Sequence, residues 1–136
     1  MIPVSGGKDS TWQVITALKN GLKPLCVTWK TPARNEIGQN NLDNLIKLGV
    51  DHIDFSINYK TERYFVKKAF LKLGNPALPM HMALHSIPLK IAISMKISLI
   101  IWGENSADEY GSKNKNLKGA YLTNQWRKKF GVTNET

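Results

Sequence analysis

The feature that most constrains the fold is an alternation along the chain. Short apolar runs of β-type composition take turns with amphipathic stretches of helical period. Val4 closes a first, very short apolar run. Leu22–Trp29, LKPLCVTW, carries the β-branched and aromatic content of a buried strand. Val50–Ile57 reads as a third strand, and Ile97–Trp102, ISLIIW, as a fourth. Between them, Thr11–Asn20 reads as a helix with Trp12, Ile15 and Leu18 on one face. Glu36–Leu48 turns Leu42, Leu45 and Ile46 inward, with Gly49 as C-cap. Thr61 is placed to cap a helix that runs to Leu73, with Phe65, Ala69 and Leu73 sharing a face. Residues 80–96 are helical, with Pro88 near the start of a second helix after Ser86. The predicted order is β-α-β-α-β-α-α-β. Near-continuous apolar strands in that order predict an α/β fold: a parallel sheet covered on both faces. Such sheets bind ligands at the carboxyl ends of their strands. The loops at 5–10, 28–39, 58–60 and 103–112 are therefore the candidate site loops.

A chain of 136 residues is enough for one domain with a real core. The net charge of +9 suits a polyanionic partner, nucleotide, sugar-nucleotide or nucleic acid, and equally suits solvated helix faces. A lone cysteine, Cys26, rules out a disulfide within the chain and sets a reduced, cytoplasmic location as the default. The start carries no secretory pattern, and the apolar runs are too short for membrane insertion. The first strand has four residues where a central strand usually has about five or six, and the far end stops without punctuation. The expectation is a single domain over residues 1–136, truncated at both ends.

Residues 4–11, VSGGKDST, join the first strand to the first helix. A Walker A loop needs a Ser or Thr after Gly7-Lys8, but Asp9 stands there, and Ile2 occupies the place of its first glycine. The dinucleotide fingerprint lacks its third glycine. What remains still has the physics of an anion site. Gly6 and Gly7 admit an anion to backbone N–H groups, and the helix points its positive end there. Ser5, Ser10 and Thr11 add hydroxyl donors, and Lys8 a point charge. Asp9 repels phosphate, so it either caps the helix or helps hold a Mg²⁺ bound to the phosphates. The alternative is a glycine-rich capping turn with no ligand.

The hexapeptide Ser5-Gly6-Gly7-Lys8-Asp9-Ser10 resembles the signature of the PP-loop ATP pyrophosphatases, the adenine-nucleotide α-hydrolase-like superfamily. Longer stretches narrow the likeness. IPVSGGKDSTWQV at 2–14, GLKPLCVTWKTPARNEIGQNNLDNLIKLGVDHIDFSIN at 21–58 and IIWGENSADEYG at 100–111 resemble the N-acetyl sugar amidotransferases of lipopolysaccharide, O-antigen and other surface-polysaccharide biosynthesis. The resemblance implies a Rossmann-like three-layer α/β/α domain that binds ATP and Mg²⁺. It implies adenylation of the acetamido oxygen of a nucleotide-linked sugar, with loss of pyrophosphate. Ammonia from a partner glutaminase subunit then displaces AMP to give the acetamidino sugar.

Carried over residue by residue, Ser5, Gly6, Gly7, Lys8, Asp9, Ser10 and Thr11 hold the pyrophosphate. Val27, Thr28 and Trp29 hold adenine. Lys30, Arg34, Gln39 and Asn105 face substrate, Glu104 binds Mg²⁺ beside Asp9 or orients ammonia, and Lys8, Asp9 and Glu104 form the implied catalytic set. For Arg34 the alternative is a solvated surface arginine, and for Glu104 and Asn105 a polar turn. The cysteine-containing segment that opens those proteins is absent from this chain.

Two other constellations stand apart. His81 and His85, four residues apart on a helix, suit two metal ligands, but no Glu follows His81 and a surface or core pair fits better. Residues 113–129 hold six basic residues and no acidic one, fit for RNA or a sugar-nucleotide diphosphate, or simply solvated. Tyr121–Phe130 reads as a last short helix. The competing functions are a tRNA-modifying PP-loop enzyme and a non-catalytic nucleotide-binding fragment.

Overall fold

A computed structural model describes residues 1–103 of the chain. The expectations for Glu104, Asn105, the basic stretch at 113–129 and the helix Tyr121–Phe130 lie outside the described residues.

Seven elements follow one another: β1 (Ile2–Pro3), α1 (Lys8–Lys19), β2 (Leu25–Trp29), α2 (Glu36–Ile46), β3 (Asp51–Phe55), α3 (Tyr59–Leu73) and α4 (Leu78–Ser94). The strands form a parallel sheet in the order β1-β2-β3. Ile2 lies opposite Cys26, and β2 and β3 pair from Leu25–Asp51 to Trp29–Phe55. This is the mixed α/β architecture expected, consistent with a Rossmann-like fold.

Strand alternation sorts the core into two clusters. Ile2, Val4 and Cys26 pack with Val14 and Ala17 of α1 and with Leu42 and Leu45 of α2. Met1 and Val27 point the other way, onto Ala83, Ile87, Ile91 and Ala92 of α4. Cys26 is fully buried, and burial pushes its thiol up to about 11, so it serves as a small hydrophobe.

Several expectations are corrected. Residues 97–102 form no strand. On the β1 side, Met1 bonds to this segment: its ammonium donates to Leu99 O at 2.9 Å and its carbonyl accepts from Ile101 N at 3.0 Å. The next rung in a parallel ladder would need an N–H from Pro3, which has none, so the pairing stops. Pro88 does not start a new helix. It lies inside α4, buried among apolar neighbours, and packing on the sheet outweighs the one backbone bond it forgoes. The cap of α3 is Asn58, not Thr61: its Oδ1 accepts from Lys60 N at 3.0 Å and Thr61 N at 3.3 Å. Helix α1 starts at Lys8 rather than Thr11 and buries Ser10, Val14 and Ala17, leaving Trp12 67% exposed. The apolar period alone does not show that Ser10, anchored in the loop before it, sets the inward face. The inward residues of α2 are as expected, with Leu42 and Leu45 buried.

Candidate functional site

The chain leaves β1 at Pro3 and turns through Val4-Ser5-Gly6 into the start of α1. Gly6 sits at φ +80°, and a Cβ there would lie 2.7 Å from Leu42 N in α2. Only glycine lets this turn press onto the α2 backbone. Gly7, the N-cap residue, is extended at φ −73°, ψ 168°, and no side chain caps the helix. The hydroxyls expected to reach a ligand turn back on the loop. Ser10 Oγ and Thr11 Oγ1 both donate to Gly7 O, at 3.1 and 2.9 Å, and Ser5 Oγ accepts from Gly7 N at 3.3 Å. The amides of Lys8, Asp9 and Ser10 occupy the first turn, where a helix supplies no internal acceptor. They point out at the positive end of the helix.

This loop forms one wall of a cavity of about 220 Å³. Ser5, Gly7, Asp9 and Ser10 line it together with Val27 and Trp29 at the carboxyl end of β2. Leu84 and Pro88 of α4 and the Trp102-Gly103 segment complete it. Two of the residue groups implied by the resemblance, loop and β2 end, thus meet at one place, where the topology predicts a ligand. The volume is below the roughly 300–1,000 Å³ usual for a whole ligand pocket, so the cavity takes part of a nucleotide and not the whole. Lys8 is exposed and does not line the cavity. Among the described residues no cluster of three metal-ligating side chains occurs, so Asp9 is the sole carboxylate on the cavity wall.

The other expected residues do not join it. Thr28 faces away from the cavity, into the side of the sheet covered by α2. Its hydroxyl donates to Val4 O at 2.8 Å and meets His52 Nε2 at 2.9 Å. Because the Thr28 proton is committed to Val4, the imidazole must donate, which fixes neutral His52 in the Nε2–H tautomer. Arg34 forms a two-pronged ion pair with Asp54, at 2.7 and 2.8 Å, and its side chain is only 9% exposed. It is not a solvated surface arginine. Gln39 accepts from Arg34 at 3.2 Å and donates to Asp43 Oδ1 at 2.7 Å. Lys30 is exposed, its backbone N–H bonded to Phe55 O. The carboxyl of Asp54 is held below the usual range chiefly by its bond to Arg34. Burial lowers the pKa of His52. His85 lies against Trp102, ring centres 5.2 Å apart, beside the cavity rather than in a metal pair.

Gln13, Leu84 and Pro88 were not expected here. Gln13 Nε2 donates to Trp102 O at 2.9 Å and ties the 102–103 segment over α1. Its one sequence signal is position: four residues after Asp9, it shares that side of the helix. Nothing in the sequence tells which face of α4 meets the loop.

Two outcomes follow from this geometry. A Cβ on Gly103 would lie 3.0 Å from Gln13 Oε1. Gly103→Ala is expected to cost about 1 kcal/mol by disturbing the Gln13–Trp102 bond, and close to nothing in a Gln13→Ala background. Urea unfolding of the four-member cycle measures this. For His52, ¹⁵N NMR is expected to show the Nε2–H tautomer and a pKa below the ordinary value of about 6.5. The unfolded chain then binds the proton more readily, so this residue makes stability fall on acidification just below that value.

The sequence matches no family model, and no curated protein matches it.

Proposed function

We propose that the chain is the ATP-binding part of an amidotransferase that cleaves ATP to AMP and pyrophosphate. The observation that carries this reading is the meeting, in one cavity, of the Gly7–Ser10 helix start with Val27 and Trp29 at the end of β2. Amides in the first turn suit a diphosphate, and the apolar wall suits a flat base beside it. The two core clusters on opposite sides of the sheet are compatible with the three-layer α/β/α arrangement that the resemblance implies.

In this reading the loop amides hold the β- and γ-phosphates as the leaving pyrophosphate, and the base lies by Val27 and Trp29. The acetamido oxygen of a nucleotide-linked sugar attacks the α-phosphorus, the α–β bond breaks, and pyrophosphate leaves with its electron pair. Ammonia from a partner glutaminase adds to the activated carbon, and AMP departs to leave the amidine. A single carboxylate, Asp9, fits Mg²⁺, which is commonly held by one or two carboxylates and the phosphates themselves. When bound, Mg²⁺ neutralises the charge that develops on the leaving group. Lys8, at the exposed start of α1, adds positive charge to the same end. Arg34 and Gln39 act on this site at a distance, by holding β3 and α2 together, rather than as contacts to substrate.

The test is product analysis with the chain, ATP, Mg²⁺, UDP-acetamido sugars and ammonia. The expected result is AMP and pyrophosphate released only when sugar is present. Release that needs tRNA and no sugar would replace this reading with a tRNA-modifying enzyme, the class that the +9 charge also suits.

A further inference from the structure

Helix α3 carries five basic residues, Lys60, Arg63, Lys67, Lys68 and Lys72, against one acidic residue, Glu62. Glu62 is half-buried and, seven residues before Ala69, lies on the same side of the helix as that residue, away from the outer charges. Ala69, fully buried, marks the inward side, where α3 packs on α4. Around the helix the opposite arc places Lys60, Arg63 and Lys67 in its centre, all exposed. Large apolar side chains flank them on both sides. Tyr59 and Phe70 stand 64% and 57% exposed on one flank, Tyr64 and Leu71 58% and 70% on the other. Cations set among exposed aromatic and aliphatic groups are out of place on a purely solvated face.

We propose that this outer face of α3 docks on an anionic phospholipid surface. With this face toward the bilayer, the central cations meet the head-group phosphates, and the rings and Leu71 on the two flanks enter the interfacial zone beside them. Lysine and arginine stems reach from one zone to the other. Charge decides against a second copy of the chain, which carries the same +9. Single-stranded RNA fits less well, because its bases need open ring faces. The Lys68 ammonium already sits 5.6 Å over the Tyr64 ring, and Phe65 meets that ring edge-on at 6.0 Å. Leu71, the most exposed of the four, has no ring to stack.

Co-sedimentation of the whole chain with vesicles tests this. Binding is expected to vesicles of phosphatidylglycerol in phosphatidylcholine and not to phosphatidylcholine alone. Lys60→Gln/Arg63→Gln/Lys67→Gln is expected to weaken it roughly 100-fold. Phe70→Ser/Leu71→Ser is expected to weaken it at least about tenfold. Because Cys26 is buried and unreactive, a cysteine placed at Leu71 takes a polarity-sensitive dye selectively. Its emission is expected to shift to the blue on the anionic vesicles, while a dye at Lys47 beyond α2 does not shift. This second readout stays informative if a multiple variant fails to fold. The proposal is overturned by equal binding to neutral vesicles, by no binding, or by folded variants that bind as the parent does. It is also overturned if an RNA oligonucleotide, and not the vesicles, is bound through these residues.

Discussion

Gly6→Ala is expected to destabilise the fold by about 3 kcal/mol and lower Tm by about 10 °C. Two costs add. The residue sits at φ +80°, where a Cβ is strained by about 1–2 kcal/mol. The new Cβ also meets Leu42 N at 2.7 Å and Leu42 Cα at 3.0 Å, both backbone atoms of a helix held on the sheet by the buried Leu42 and Leu45. Gly7→Ala is the control. At φ −73° an alanine is unstrained, and its nearest neighbour is the mobile Ser5 Oγ at 3.3 Å. It is expected to cost under about 1 kcal/mol while crowding the cavity wall. The adjacent glycines thus have separate tasks, Gly6 for packing and Gly7 for access to the cavity. Thermal unfolding of the two variants side by side measures the difference.

Asp54→Ala is the second large effect, about 2 kcal/mol of lost stability. It leaves the Arg34 guanidinium, 9% exposed, without its carboxylate. Breaking a fully buried pair costs about 3–5 kcal/mol, and with the Asp54 side chain 29% exposed the cost falls below that range. The pair also sets an acid limb. The carboxyl is held below its ordinary pKa in the folded state, so its contribution is complete above the unfolded value of about 3.9. That contribution is lost as pH falls through the lower, folded value. Denaturant unfolding across this range is expected to show a shallower decline in Asp54→Ala than in the parent. Arg34→Lys is expected to behave much like Asp54→Ala, since lysine cannot reproduce the paired bonds.

Much of this molecule was legible before its coordinates. The β-branched and aromatic content of the run ending at Trp29 and the inward spacing of Leu42 and Leu45 place β2 and α2 correctly, because burial enforces both patterns. The loop was legible because glycine pairs between a strand and a helix have few uses. What the sequence hid depends on distant partners. Whether Ile97–Trp102 pairs along its length turns on Pro3, almost a hundred residues away, lacking an N–H. Whether Pro88 breaks a helix turns on the sheet that packs against it. Arg34, a plausible phosphate ligand by residue type, is claimed by Asp54 twenty positions later. The hydroxyls of Ser10 and Thr11 are claimed by Gly7 O at closer range. The cavity is therefore narrower in chemistry than its motif suggests: backbone amides and an apolar wall, with Asp9 at its edge.

The central claim is that these amides grip a diphosphate. Titration of ¹⁵N-labelled chain with pyrophosphate, and separately with ATP and Mg²⁺, tests it without requiring turnover. The account predicts saturable shifts concentrated at the amides of Gly7, Lys8, Asp9 and Ser10 with both ligands. It predicts shifts of Val27 and the Trp29 indole N–H with ATP only. Saturable binding of either ligand that leaves the Gly7–Ser10 amides unmoved, or no binding of either, would contradict it.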